Sequence, residues 1–220
     1  MIDKFKKKKL DDICIQITDG THSTVKNNPL GNNFLLSCKN IKNGQINITP
    51  NDRKIDEKTL NQLRKRTKLE KNDIVITTVG TIGETAIIKQ KLPNYDFQRS
   101  VGIIKPNGKK ICPKYLYYYL NSPSYQKYIS LLARGSAQQC LFIGPLKESI
   151  VYTTELKIQE KIASILTTYD KLIENNTRRI EILEEMAQRI YKEWFVNFKY
   201  PGHENDKLED SELGIIPEGW

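Results

Sequence analysis

LKIQEKIASILTTYDKLIENNTRRIEILEEMAQRIYKEWFVNF, residues 156–198, runs without a proline or a glycine. Within it Ile162, Leu166, Tyr169, Ile173, Asn176, Ile180, Leu183, Ala187, Ile190 and Trp194 recur at alternating steps of four and three. That spacing stacks side chains on one face of an α-helix and makes a heptad seam. At about 1.5 Å per residue the helix would span on the order of 60 Å. One small domain cannot cover such a face, so these ten residues are expected to form a helix-pairing interface. With Ile162 as heptad position d, Ile165, Leu172 and Met186 fall at g and widen the apolar stripe. The e and g positions lack the Glu/Lys alternation that favours a parallel dimer. Asn176 is the one polar residue in the seam, and a buried polar seam residue fixes register or orientation.

On the C-terminal side, Pro201-Gly202 closes the aromatic run, and residues 201–220 read as an acidic, flexible tail. On the N-terminal side the character changes. Residues 1–155 carry 26 Lys/Arg and 13 Asp/Glu, a net +13; residues 156–220 carry 9 and 13, a net −4. The chain thus divides at 155 into a basic domain, a long helix (156–200) and the tail. The basic domain reads as mixed and strand-rich, so the fold class is α+β. Ile13, Ile15 and Ile17 alternate with polar residues up to the Asp19-Gly20 turn, and short strands flank Asn43-Gly44. Residues 74–79, 85–88, 101–104 and 150–152 are β-branched strands, and residues 57–65 form a helix. Pro113 and Ser122-Pro123 each open another helix.

Catalytic patterns are absent. Residues 102–109 have five positions between glycines where a phosphate loop needs four, and Lys110 stands where Ser or Thr belongs. Gly80-Thr81-Ile82-Gly83 lacks the third glycine of a dinucleotide fingerprint and reads as a tight turn. Cys14, Cys38, Cys112 and Cys140 are scattered, and with two histidines the chain has no zinc pattern, so no metal site is expected. Unpaired thiols, the lack of a signal-peptide core and the lack of an apolar membrane span point to the cytoplasm and to no membrane partner.

What remains suits DNA. Arg and Lys match the guanine edge, Asn and Gln the adenine edge, and lysines supply phosphate contacts. The candidate DNA-binding residues are Lys6, Lys7, Lys8 and Lys9 in the first basic run, and Thr21, His22, Ser23 and Lys26 after the first strand. Lys39, Asn40, Lys42 and Asn43 follow around the next turn. Gln98 and Arg99 precede the strand at 101, and Arg134, Ser136, Gln138 and Gln139 occupy a polar loop.

An ordered set of motifs resembles the specificity subunits of type I restriction-modification systems. Leu10-Asp11-Asp12-Ile13 with Ile17-Thr18-Asp19-Gly20-Thr21-His22 opens the set, and Ser37 to Gly44 follows. Residues 69–83, ending Gly80-Thr81-Ile82-Gly83, then Gln98-Arg99-Ser100-Val101, Tyr115 to Leu120 with Ser122-Pro123, and Gly135-Ser136-Ala137-Gln138 continue it. Leu156, Gln159, Ile162 and Ala163 open the long helix, and Met186-Ala187-Gln188 through Trp194-Phe195-Val196 close it. Thr154 and Glu155 stand where the family usually has Pro-Leu.

The resemblance implies a non-catalytic, DNA-binding specificity subunit. Its recognition domain would read one half of a bipartite site. Its helix would dock adenine methyltransferase subunits, with an ATP-dependent restriction subunit joining the complex. S-adenosylmethionine, ATP and Mg would then reside on those partners, with no cofactor in this chain. Family members usually carry two recognition domains, each followed by a helix, whereas this sequence has one of each. Ile216-Pro217-Glu218-Gly219-Trp220 resembles the opening of a second repeat, with Trp220 matching Phe5. The sequence is a natural half-subunit, expected to homodimerise through antiparallel helices, or the first half of a longer protein. The alternative outside this family is a free-standing coiled-coil DNA-binding regulator.

Overall fold

The structure is a computed structural model that describes residues 5–91, 93–135, 139–212 and 214–220. It divides into two compact units, Met1–Leu166 and Thr167–Trp220.

The first unit is built on two small sheets. Strands β2 (Cys14–Asp19), β7 (Ile74–Thr77), β8 (Thr85–Ile87) and β10 (Val101–Pro106) form an antiparallel sheet in the order β2-β10-β7-β8. All four residues of β7 are buried, and the first five of β10 are too. Those two strands occupy the middle of the sheet, which explains the unbroken β-branched run of β7 and the Val101, Ile103 and Ile104 of β10. The second sheet, in the order β6-β3-β9, joins β3 (Asn33–Leu36) to β6 (Lys54–Ile55) antiparallel and to β9 (Tyr95–Phe97) parallel. A hairpin of β4 (Ile41–Lys42) and β5 (Gln45–Ile46) turns at Asn43 and Gly44, whose φ angles of 53° and 75° suit the tight turn between them.

Helix α1 (Glu57–Thr67) is capped by Asp56, whose carboxylate accepts from the Thr59 amide at 2.7 Å. Helices α2 (Pro113–Leu120) and α3 (Pro123–Leu132) each begin on proline, and Ser122 caps α3. Their tyrosines and leucines pack with Ile74, Ile76 and Ile104 in the main core. A short helix α4 (Ile143–Glu148) leads to β11 (Ile150–Thr153). Strand β11 pairs antiparallel with β1 (Lys6–Lys9), joining Lys6 to Thr153.

The long helix α5 spans Leu156–Tyr191 and is followed by a π-helical turn, Lys192–Val196. It stops short of the expected end at Phe198, which has a left-handed φ of 55°. Within the first unit Gln159 and Ala163 are buried. The Gln159 side chain accepts from the Cys112 amide at 2.9 Å and donates to the Thr154 carbonyl at 2.7 Å, fixing the helix start. In the second unit the seam is bare: Tyr169, Ile173, Ile180, Leu183 and Ile190 are all exposed, as is Asn176.

Residues beyond the helix differ from the expected flexible tail. Strands β12 (Leu208–Ser211) and β13 (Gly214–Pro217) pair as a hairpin. Trp220 stacks on Tyr200 at 5.2 Å and meets the Phe195 and Phe198 rings at 5.6 and 5.4 Å. Acidic composition hides this arrangement because the aromatic residues that secure it lie outside the acidic stretch. Among the described residues no helix is long and apolar enough to cross a membrane.

Candidate nucleic-acid interface

Strand pairing sends the candidate loops to one end of the first unit. Register sets Asp19 beside Gly102 and Thr77 beside Val101, while Leu36 lies beside Phe97 in the parallel pair. The loops leaving those strands are then stitched by backbone hydrogen bonds. The amides of Gly20 and Thr21 donate to the carbonyls of Val101 and Phe97 at 3.0 and 2.8 Å. The Arg99 amide donates to the Thr21 carbonyl at 2.9 Å, and the Gln98 amide to Leu36 at 2.8 Å. Thr78 donates to Ser100 at 2.9 Å and its carbonyl receives the Leu141 amide at 2.8 Å. Arg134 and Cys140 exchange both backbone bonds and close the last loop. The starts of the loops after Asp19, Leu36 and Thr77 therefore meet the 98–100 turn and the backbone of Arg134, Cys140 and Leu141. The β4–β5 hairpin joins them where the Asn43 amide donates to Glu84 at 3.1 Å.

Gly20 shows why the junction needs glycine. A Cβ there would collide with the carbonyl oxygens of Phe97 and Gln98. Backbone is held against backbone at this point, so the loop that follows departs from a fixed origin.

Exposure then sorts the side chains. His22, Ser23, Lys26, Lys39, Lys42, Asn43, Arg99, Arg134 and Gln139 are exposed, and Thr21 and Gln98 are half-buried. The Arg99 guanidinium has no hydrogen bond or ion pair with another described residue, while its backbone is fixed. Such a cation can reach out to a ligand. Lys39 lies 2.9 Å from the buried carboxylate of Asp52. Burial opposes that charge, but hydrogen bonds from Asn40, Lys39 and Thr49 hold the Asp52 pKa below the ordinary carboxylate value. Lys39 thus brings charge to the surface with part of it already balanced. Gln98 and Lys39 line a polar cavity of about 530 Å³ with Asn27, Ser37 and Lys54.

Asn40 is a correction. It is buried, its side-chain oxygen accepts from the Ser37 amide at 3.0 Å, and its NH₂ donates to the Asn47 carbonyl at 2.9 Å. Its polar atoms shape the turn and do not reach a ligand. The Ser37-x-x-Asn40 spacing before an apolar residue resembles a capping box, a signal the sequence offered. Lys6, Lys7, Lys8 and Lys9 are exposed on β1, but the chain enters β2 from them at Cys14, the end of that strand opposite Asp19. Lys9 pairs with Glu148 at 2.5 Å and Lys7 lies over the Tyr152 ring. They do not join the clustered loops. Ser136 and Gln138 lie outside the described residues.

The loops were legible individually; Arg66 was not. This residue of α1 bonds to Asp19, donates to the Gly20 carbonyl at 3.1 Å and so grips the end of β2. Its sequence context, Arg64-Lys65-Arg66, looks like a solvated helix face. Among the described residues no group of three or more His, Cys, Asp or Glu side chains could hold a metal ion.

The family model "Type I restriction modification DNA specificity domain" matches residues 2–185. The chain is 32% identical over 215 residues to the type I restriction enzyme MjaIX specificity subunit of Methanocaldococcus jannaschii, covering 97% of this chain and 49% of that protein. It is 30% identical over 204 residues to the EcoBI specificity subunit of Escherichia coli, covering 86% and 40%. The crystal structure of the type I restriction-modification S subunit from M. genitalium superposes with a TM-score of 0.63 at 20% identity, covering 87% of this chain and 46% of that one. The chain spans about half the length of the relatives it matches.

Proposed function

Because the chain belongs to the family of type I restriction-modification DNA specificity domains, we propose that it reads one half of a bipartite DNA site for a type I restriction-modification complex. The observation that carries this reading is the convergence of four loops, bearing His22, Lys39, Arg99 and Arg134, at one end of two sheets. Recognition of duplex DNA needs cations for phosphate and forked polar groups for base edges, on a rigid frame. Arg99 combines a fixed backbone with an uncommitted guanidinium and is the strongest base-reading candidate. Gln139 and Asn43 supply amides of the kind that pair with adenine.

The exposed seam of α5 supports the second half of the reading. Two copies pair their long helices antiparallel, and the assembly docks adenine methyltransferase subunits, through which an ATP-dependent restriction subunit joins. Catalysis, with S-adenosylmethionine, ATP and Mg, resides on those partners. A symmetric pair presents two identical reading surfaces, so its target is an interrupted palindrome.

Mapping of methylated adenines in cells that carry this chain and a cognate methyltransferase tests the proposal. Methylation at one interrupted palindrome, lost when Arg99 is replaced by Ala, is the expected result. Methylation that is unchanged when the chain is deleted would refute it.

A further inference from the structure

His22 is exposed, yet one of its ring nitrogens is not free. Nε2 lies 2.6 Å from Asp19 Oδ2. Asp19 is mostly buried, and its other oxygen, Oδ1, is bonded to Arg66 Nη2. Arg66 also donates to the Gly20 carbonyl at 3.1 Å and reaches the Thr18 hydroxyl at 3.4 Å. An ionised carboxylate only accepts hydrogen bonds. Against an ionised Asp19, Nε2 of His22 carries a proton, which leaves Nδ1 as the ring nitrogen that Asp19 does not hold. Nδ1 has no partner among the described residues. The adjoining Thr21 carbonyl is bonded to the Arg99 amide, so His22 and the free Arg99 guanidinium leave the same backbone junction.

We propose that Arg66 is a positioning residue for DNA reading: through Asp19 it fixes the tautomer and direction of the His22 ring, so that Nδ1 of His22 contacts the DNA beside Arg99. This rests on the DNA-reading function proposed above. The relay spans three elements. Helix α1 supplies the cation, the end of β2 the carboxylate and the following loop the imidazole. A neutral ring held this way offers an acceptor at Nδ1 to the exocyclic amino group of adenine or cytosine. A protonated ring offers a donor to phosphate or to guanine. In either state Asp19 receives the opposite nitrogen, so the contact is directional.

Replacing Asp19 by Asn makes a specific change. Its NH₂ cannot accept from the ring. With the amide oxygen facing Arg66, the NH₂ faces Nε2 and the neutral ring must carry its proton on Nδ1 instead. The face shown to DNA switches from acceptor to donor with little change in shape.

Two measurements on the full chain test this. Ring ¹⁵N spectra are simple, since the chain has only His22 and His203, and a His203→Gln variant assigns them. The neutral wild-type His22 ring should be the Nε2–H form, and Asp19→Asn should convert it to Nδ1–H. A wild-type ring protonated on Nδ1, or freely exchanging between both forms, would overturn the relay. The second measurement is selection from a pool of randomised DNA duplexes, with bound sequences read out. Arg66→Ala and His22→Gln should relax preference at the same base pair and weaken binding about tenfold. The double variant should be no weaker than His22→Gln alone, and Arg66→Lys should recover part of the loss. Additive losses would show that Arg66 supports the fold and does not act through His22, overturning the proposal. A wild-type chain that selects no sequence refutes DNA reading itself, and with it the use assigned to His22, even where the ring spectra show the Nε2–H form.

Discussion

Lys105→Met should be among the most damaging single substitutions in the recognition unit. Lys105 Nζ stands 2.5 Å from Asp73 Oδ2 and 2.6 Å from the Lys68 carbonyl, and the two side chains are 9% and 6% exposed. The Glu70 amide also donates to Asp73 at 2.8 Å. Without the ammonium, a buried carboxylate keeps one backbone donor and no counter-charge. Breaking a buried pair in this way costs about 3–5 kcal/mol, or roughly 10–15 °C in Tm for a chain of this size. The damage reaches the clustered loops, because Lys68 terminates the helix whose Arg66 grips the end of β2. The double variant Lys105→Met, Asp73→Leu removes both charges and should recover most of the loss, though its freed backbone groups must still find partners.

Acidity supplies an independent check on the same pair. Burial raises the Asp73 pKa above its ordinary value, against the opposing hydrogen bonds of Lys105 and the Glu70 amide. A carboxyl with a raised folded pKa binds its proton more tightly folded than unfolded. Its contribution to stability therefore falls as pH rises from the unfolded value through the raised one. Loss of Lys105 exaggerates this, so the penalty of Lys105→Met should be largest near neutrality and shrink toward mildly acidic pH. Urea denaturation of the full chain measures it. The near-ultraviolet band of buried tyrosines such as Tyr95 and Tyr125 follows the first unit, while Trp194 and Trp220 report on the second. A loss below about 1 kcal/mol, far under the range for broken buried pairs, or a penalty that grows on acidification, would refute the reasoning.

Three other expectations follow from the same structure. Leu183→Asp, on the exposed seam, should leave the tyrosine signal of the first unit intact and convert a dimer to a monomer by light scattering; an unchanged molar mass would remove Leu183 from the pairing face. Asp52→Asn should destabilise the chain at neutral pH and flatten its acid limb. The folded pKa of Asp52 is lowered, so its contribution is present above the unfolded value and lost as pH falls through the folded one, and an unaltered acid midpoint would contradict this. Gly20→Ala should cost about 1–3 kcal/mol through overpacking and weaken binding to duplex DNA more than an alanine at exposed Gly108, where no atom lies within 4 Å, as a titration of both variants would show.

The sequence made the fold readable wherever one physical signal dominated. The heptad of α5, the β-branched runs of β7 and β10, and the prolines opening α2 and α3 each stand in the expected element. It was opaque where partners outvote local preference. Four lysines do not announce a strand, yet β1 forms because β11 supplies a backbone to pair with. Helix α4 contains Gly144-Pro145, and β9 is only three residues long. At the candidate interface, the loops were legible as polar clusters, but polarity alone does not separate buried Asn40 from exposed Asn43. Nor does it separate Arg66, tied to Asp19, from Arg99, whose guanidinium has no partner among the described residues. Asn40 is set apart by local bonds to Ser37 and Asn47, and Arg66 by a contact 47 positions away.

The pairing of β1 with β11 also sets an order of events in synthesis. The Thr153 hydroxyl donates to the Lys6 carbonyl across 147 residues of chain, so the first strand waits for almost the whole recognition unit before it gains a partner. Long-range closure of this kind is slow compared with local helix formation. Helix α5 starts at Leu156, directly after β11. On a ribosome the strand that closes the first unit and the start of the long helix therefore emerge almost together. A chain truncated before residue 150 would lack both β11 and α5. The first unit therefore completes its outer strand pair only as α5 begins to appear.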